Sequence, residues 1–127
     1  VKELDVITNQ LSYDIIGCAI AVHKIFGAGL LESVYEDALC IEFEDRKIPY
    51  ERQKEIGINY KGRTIGKGYI DILVDRRIVV ELKSVERFAP VHTPQILTYL
   101  RMTDTRLGLL MNFNYDLLKK NIRRIIL

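Results

Sequence analysis

The segment Ile70-Asp71-Ile72-Leu73-Val74-Asp75-Arg76-Arg77-Ile78-Val79-Val80-Glu81-Leu82-Lys83 constrains this chain more than any other. Two apolar runs flank a short polar turn, so they read as the strands of a tight hairpin, and Ile78-Val79-Val80 has the continuous apolar character of a central strand. Yet each run carries an acid. Glu81 sits between Val80 and Leu82, where a solvated charge is not expected; such a carboxylate must be paired, metal-bound or at a strand end opening on a cleft. Strand alternation puts Glu81 and Lys83 on one face and Leu82 on the other. Turn length decides whether Asp71 joins them. A three-residue loop at Asp75-Arg76-Arg77 sets Asp71 opposite Glu81, whereas a two-residue loop sends the two acids to opposite faces. The expectation is the three-residue or bulged turn, with Asp71, Glu81 and Lys83 clustered.

Such a cluster has a definite chemistry. Two carboxylates within reach suit Mg²⁺, which takes one or two protein carboxylates and keeps several waters. A lysine beside that metal can orient or help deprotonate an attacking water and offset charge on a phosphate. The structural alternative is an Asp–Lys–Glu ion network on a half-exposed sheet.

The remaining sequence narrows the class. With 127 residues, 48% of them apolar and 28% charged, the chain reads as a single globular domain over 1–127, with residues 1–5 frayed. No apolar run approaches the ~20 residues that cross a bilayer. The opening VKELDVITNQ lacks a basic and then apolar leader, so no signal peptide and no membrane partner are expected. Cys18 and Cys40 form no C-x-x-C pair and read as core thiols of a cytoplasmic protein. The net charge of +2 is polarised: residues 1–45 carry two basic side chains against nine acidic, and residues 46–127 carry 17 against eight. A basic C-terminal two-thirds suits a polyanion, although scattered solvated lysines and arginines would give the same count.

Apolar residues at Leu11, Ile15, Cys18, Val22 and Ile25, widened by Ile16, Ala19, Ile20 and Phe26, predict a heavily buried helix that breaks at Gly27-Ala28-Gly29. A second helix is expected from Leu31 to Arg46, with Val34, Ala38 and Ile41 on one face and Glu32, Glu36 and Asp37 near its start, where acids complement the macrodipole. Period-two patterning then predicts strands at 51–60, 63–75 (bulged near Gly66 and Gly68) and 78–84. Thr93-Pro94 reads as an N-cap with proline at N1 for a helix reaching Met102, followed by strands at 106–113 and 122–127 around a short turn or helix. The order α, α, β, β, β, α, β, β is that of an α/β fold with a meander before a crossover helix. On the third helix Gln95 and Tyr99 share a face, with His92 one turn earlier.

Gly29-Leu30-Leu31-Glu32-Ser33-Val34-Tyr35 resembles the signature of the GxxExxY protein family, which is assigned to the PD-(D/E)XK nuclease superfamily. The resemblance runs from about Ile16 to Leu127 through Gly68-Tyr69-Ile70-Asp71, Val80-Glu81-Leu82-Lys83, Pro90-Val91-His92, Gln95-Ile96-Leu97-Thr98-Tyr99-Leu100 and Gly108-Leu109-Leu110-Met111-Asn112-Phe113. Gln95-x-x-x-Tyr99 also resembles an element of RecB-like exonucleases in that superfamily. The resemblance implies a restriction-endonuclease-like αβββαβ core, a mixed central sheet flanked by helices. It implies Asp71 and Glu81 as metal ligands with the Leu82 carbonyl as a third, and Glu32 completing or extending the metal site. Lys83 would be the catalytic lysine, with Gln95, Tyr99 and His92 on the substrate side.

Three readings follow. The first is a Mg²⁺- or Mn²⁺-dependent nuclease hydrolysing phosphodiester bonds in nucleic acid, foremost DNA, with two copies pairing as a homodimer to span a duplex. The second is a non-catalytic binding or assembly module that retains the scaffold. The third is a basic nucleic-acid-binding protein whose acids merely pair with arginines.

Overall fold

The computed structural model describes residues 3–127, so part of the segment expected to fray, residues 1–2, lies outside the described residues. Helix α1 spans Val6–Phe26 and starts five residues before the apolar pattern does, because the Asp5 carboxylate accepts the Thr8 N–H at 2.7 Å and caps it. Gly27, at φ 63°, ends the helix by donating its N–H to the His23 carbonyl. Ile15, Cys18, Ala19 and Val22 are buried as expected, but Ile25 and Phe26 are exposed. His23 takes the inward place in the last turn, its Nε2 3.1 Å from the Phe113 carbonyl oxygen.

Helix α2 spans Glu32–Asp45 and buries Tyr35, Leu39, Cys40 and Phe43. The apolar face of Val34, Ala38 and Ile41 is not the buried one, since Val34 and Ile41 are exposed. Both stripes have helical spacing, and the one with two aromatic rings buries more apolar area. Tyr35 stacks on Phe113 with ring centroids 4.5 Å apart.

Strands β1 (Tyr50–Tyr60), β2 (Arg63–Val74), β3 (Ile78–Lys83), β4 (Leu107–Asn112) and β5 (Ile122–Ile126) form one mixed sheet in the order β1-β2-β3-β4-β5. Only β3–β4 is parallel, and helix α3 (His92–Thr103) makes the crossover between them. β4 pairs antiparallel with β5, which follows a short 3₁₀ turn at Leu118–Asn121. Helices α1 and α2 cover one face over Ile72, Val74, Val80, Leu82, Leu109 and Met111; α3 covers the other over Ile70, Leu73, Val79 and Leu110. This double cover explains the unbroken apolar run of β3. The expected bulge is at Ile65, since Ile58 pairs with Gly66 and Asn59 with Thr64. The α3 start differs: Val91 is the cap residue, no side chain caps the helix, and Pro94 falls inside the first turn, where its missing N–H costs nothing. Gly108 lets α3 lie close on β4, since a Cβ there would meet Ile96 Cγ2 at 2.5 Å. Among the described residues no helix is long and apolar enough to cross a membrane.

Candidate active site

The hairpin register is Ile72–Val80, Leu73–Val79 and Val74–Ile78, which leaves a three-residue loop at 75–77. Asp75 and Arg76 both take positive φ, 51° and 54°, and the Arg77 N–H closes the turn on the Val74 carbonyl at 2.9 Å. Carried one step further, this register puts Asp71 opposite Glu81. There the ladder opens into a fork. The Asp71 N–H donates to Glu81 Oε2 at 2.9 Å, and the Leu82 N–H donates to Asp71 Oδ2 at 2.9 Å. Each acid thus grips the main chain of the opposite strand with one oxygen; Glu81 Oε1 is left for a further partner, and Asp71 Oδ1 meets only the Gln53 amide at 3.4 Å.

Glu81 is only 6% exposed. Burial pushes its carboxyl up to about 9, the neighbouring Asp71 carboxylate pushes the same way, and Lys83 pulls back. Lys83 is half-buried, and among the described residues its ammonium makes no hydrogen bond or ion pair. That geometry is not an Asp–Lys–Glu ion network. Nor do arginines neutralise the acids: Arg52 pairs with Glu36 and Asp37, and Arg77 with Asp5 and Asp75. Leu82 completes the fork. Because the Phe113 N–H donates to the Lys83 carbonyl, the Lys83 main chain faces β4, and by alternation the Leu82 N–H and carbonyl face the open side beside Asp71.

Two carboxylates and a carbonyl are hard oxygen donors, and two mutually repelling acids without a positive partner fit Mg²⁺ or Mn²⁺. The expected third acid stands apart. Among the described residues no three His, Cys, Asp or Glu side chains gather as a metal-binding group. Glu32 instead accepts the Ser84 N–H at 3.0 Å, because that main-chain donor just beyond Lys83 faces the first turn of α2. The Ser84 hydroxyl donates to the Leu30 carbonyl. Tyr35, the last residue of the glycine-led signature, accepts the Leu30 N–H and donates to the Gly27 carbonyl at 2.6 Å, so its hydroxyl fixes the turn that leads into Glu32.

The three residues of α3 share one side of the sheet. Gln95 donates to the Tyr99 hydroxyl at 3.1 Å, and the Tyr99 ring lies over Gly68, where a Cβ would approach it to 2.9 Å. Burial, then the Glu81 carboxylate, push the Tyr99 phenol up. Gln95 is itself largely exposed. His92 accepts the Ala89 N–H at Nδ1 (3.1 Å), and burial followed by the Lys83 ammonium hold its imidazole below its ordinary value. As Nδ1 accepts that N–H, the proton of the neutral ring lies on Nε2.

The family model of the PD-(D/E)XK nuclease superfamily matches residues 9–125. The chain belongs to the PD-(D/E)XK nuclease superfamily. No curated protein and no solved structure matches it. The mixed sheet with helices on both faces is consistent with the restriction-endonuclease-like fold of these nucleases.

This PD-(D/E)XK domain also contains supporting residues that the sequence pattern did not single out. Glu36, expected only to complement the helix macrodipole, is buried and held by Arg52 Nε and a terminal nitrogen at 3.1 and 2.8 Å. Gln53 donates to Glu36 Oε1 at 2.9 Å and to Asp71 Oδ1 at 3.4 Å, while its backbone takes φ 45° within a strand. A non-glycine residue there is strained, and the strain sits directly across from Asp71. No sequence signal marks a glutamine for positive φ. Asn112, also buried, clamps Val85 through both amide atoms and so holds the segment after Lys83. One expected outcome follows. Gln53→Gly is more stable than Gln53→Ala by about 1 kcal/mol, the reverse of the usual strand order, because only glycine relieves the left-handed backbone. Both variants weaken Mn²⁺ binding by about tenfold, as loss of a ligand-orienting partner does. Thermal melting and calorimetry on the three proteins check it.

Proposed function

We propose that this PD-(D/E)XK protein, of the GxxExxY type, is a cytoplasmic Mg²⁺- or Mn²⁺-dependent nuclease that hydrolyses phosphodiester bonds, with DNA as substrate. The observation that carries the reading is the fork, where Asp71 and Glu81 face one another beside a Lys83 that pairs with neither.

Asp71, Glu81 and the Leu82 carbonyl would hold the cation, which when bound supplies Lewis acidity and lowers the pKa of a coordinated water. Lys83 would orient the attacking water and offset charge on the phosphate. His92, with Nε2–H free to donate, and Tyr99, whose oxygen already accepts from Gln95, would position the phosphate backbone. Glu32 would hold the strand end that carries Lys83 through the Ser84 N–H. A homodimer would bring a second fork to the other strand of a duplex.

The test is purified protein with Mg²⁺ or Mn²⁺ on single-stranded, duplex and branched DNA and RNA, beside Asp71→Asn. The reading expects cleavage of DNA, together with a metal-dependent rise in melting temperature, both lost in the variant. Absence of cleavage on every substrate overturns it.

A further inference from the structure

Past Asp71, β1 and β2 continue without the rest of the sheet. β3 pairs only with residues 72–74 of β2, whereas the β1–β2 pair runs on to Tyr60–Arg63. Asp71 lies nine positions along the strand from the Gly62 turn, roughly 30 Å of ribbon at strand rise. Its base is braced by Ile56 and Ile70, which pack in the α3-side core with Tyr99. Its outer part is not: every residue from Asn59 to Lys67 is exposed. A two-stranded ribbon bare on both faces is marginal alone in water. Its chemistry is one-sided. Between Asn59 and Lys67 there are three cations, Lys61, Arg63 and Lys67, and no acid. Lys67 is paired with Glu55 at 3.4 Å, and the Lys61 ammonium stands 5.5 Å from the Tyr60 ring centroid, leaving Lys61 and Arg63 at the tip free of acidic partners among the described residues.

We infer that this ribbon is an arm that grips duplex DNA in its major groove, alongside the bond to be cut. The inference rests on the nuclease reading of the Asp71–Glu81 fork, and it names the substrate form. A B-form major groove about 12 Å wide admits a two-stranded β-ribbon, whereas the A-form RNA major groove is too narrow. The arm's length is close to one helical turn of about 34 Å, so its tip cations reach phosphates about a turn from the fork. Asp71 and the arm lie on the same strand, so the groove contact is fixed relative to the cutting site.

The experiment is fluorescence anisotropy in metal-free buffer with one sequence as duplex DNA, duplex RNA and single strand, over a salt series. The proteins are the parent and the double variant Lys61→Glu/Arg63→Glu, whose exposed positions leave the melting temperature unchanged. The parent is expected to favour duplex DNA. The variant is expected to lose about tenfold or more in that affinity, with a log–log salt slope shallower by about 2. Equal affinity and slope for the two proteins overturn the arm, as does equal binding of duplex RNA, or an arm-dependent dimer of this chain with no effect on DNA. If the parent cleaves DNA but the variant binds like it, the arm alone fails. If nothing is cleaved yet duplex binding depends on the arm, the nuclease reading alone fails.

Discussion

In metal-free buffer at pH 8, Glu81→Gln melts at a higher temperature than the parent and gains nothing when Mn²⁺ is added. The parent gains about 2.7 kcal/mol at a hundredfold excess of metal over its dissociation constant. The two effects have opposite signs because the carboxylate is a liability without the cation. Its carboxyl is raised from 4.5 to about 9 by burial and by Asp71. A carboxyl raised on folding binds its proton more tightly in the folded state. Its stabilising effect is therefore complete below about pH 4.5 and is lost as pH climbs toward 9, at roughly 1.4 kcal/mol per unit in that window. Glutamine keeps the shape and cannot ionise, so the variant's stability should be flatter with pH across that range. Melting curves from pH 4 to 9, with and without Mn²⁺, check both arms. If the metal-free variant is instead several kcal/mol less stable than the parent, Glu81 is a structural partner and the metal reading fails.

Lys83→Ala loses about 10²–10⁴-fold in cleavage rate, the range for a residue that handles a proton or a developing charge. Its affinity for Mn²⁺ stays equal or rises. The Lys83 ammonium pulls the Glu81 carboxyl toward ionisation yet forms no hydrogen bond with it, and removing a cation beside two carboxylates removes a competitor for the metal. Single-turnover cleavage and calorimetry separate the two quantities. Parallel collapse of both would make Lys83 a structural element of the fork.

The hairpin was legible because only two loop lengths were in play, and one of them brought the acids together. Why the chain chooses the longer loop was not legible: it depends on Asp75 and Arg76 both adopting positive φ, and neither is a glycine. The buried face of α2 was not legible because Val34, Ala38 and Ile41 and Tyr35, Leu39 and Phe43 both have helical spacing, and periodicity alone cannot rank two apolar stripes. Glu32 was placed with the other acids by resemblance, while its actual partner is a main-chain N–H 52 positions away. Main-chain donors carry no residue identity, so no sequence pattern announces them. Glu36 and Gln53 were overlooked for a related reason. An acid in a first turn and an amide in a strand are ordinary there, and only the fold shows that they meet beside Asp71.

The fork has one more consequence, for how the hairpin finds its alignment. The N–H groups of Asp71 and Leu82 are spoken for by the opposing acids, so β2 and β3 cannot zip beyond Ile72–Val80. A slip of one residue would break both of these bonds, each worth on the order of 0.5–1.5 kcal/mol with a neutral acceptor and 1.5–3 kcal/mol with a charged one, and would turn Glu81 into the apolar layer beneath α1 and α2. The pair of acids therefore acts as a registration mark during folding, and the strand alignment that builds the fork is the one in which neither acid is stranded.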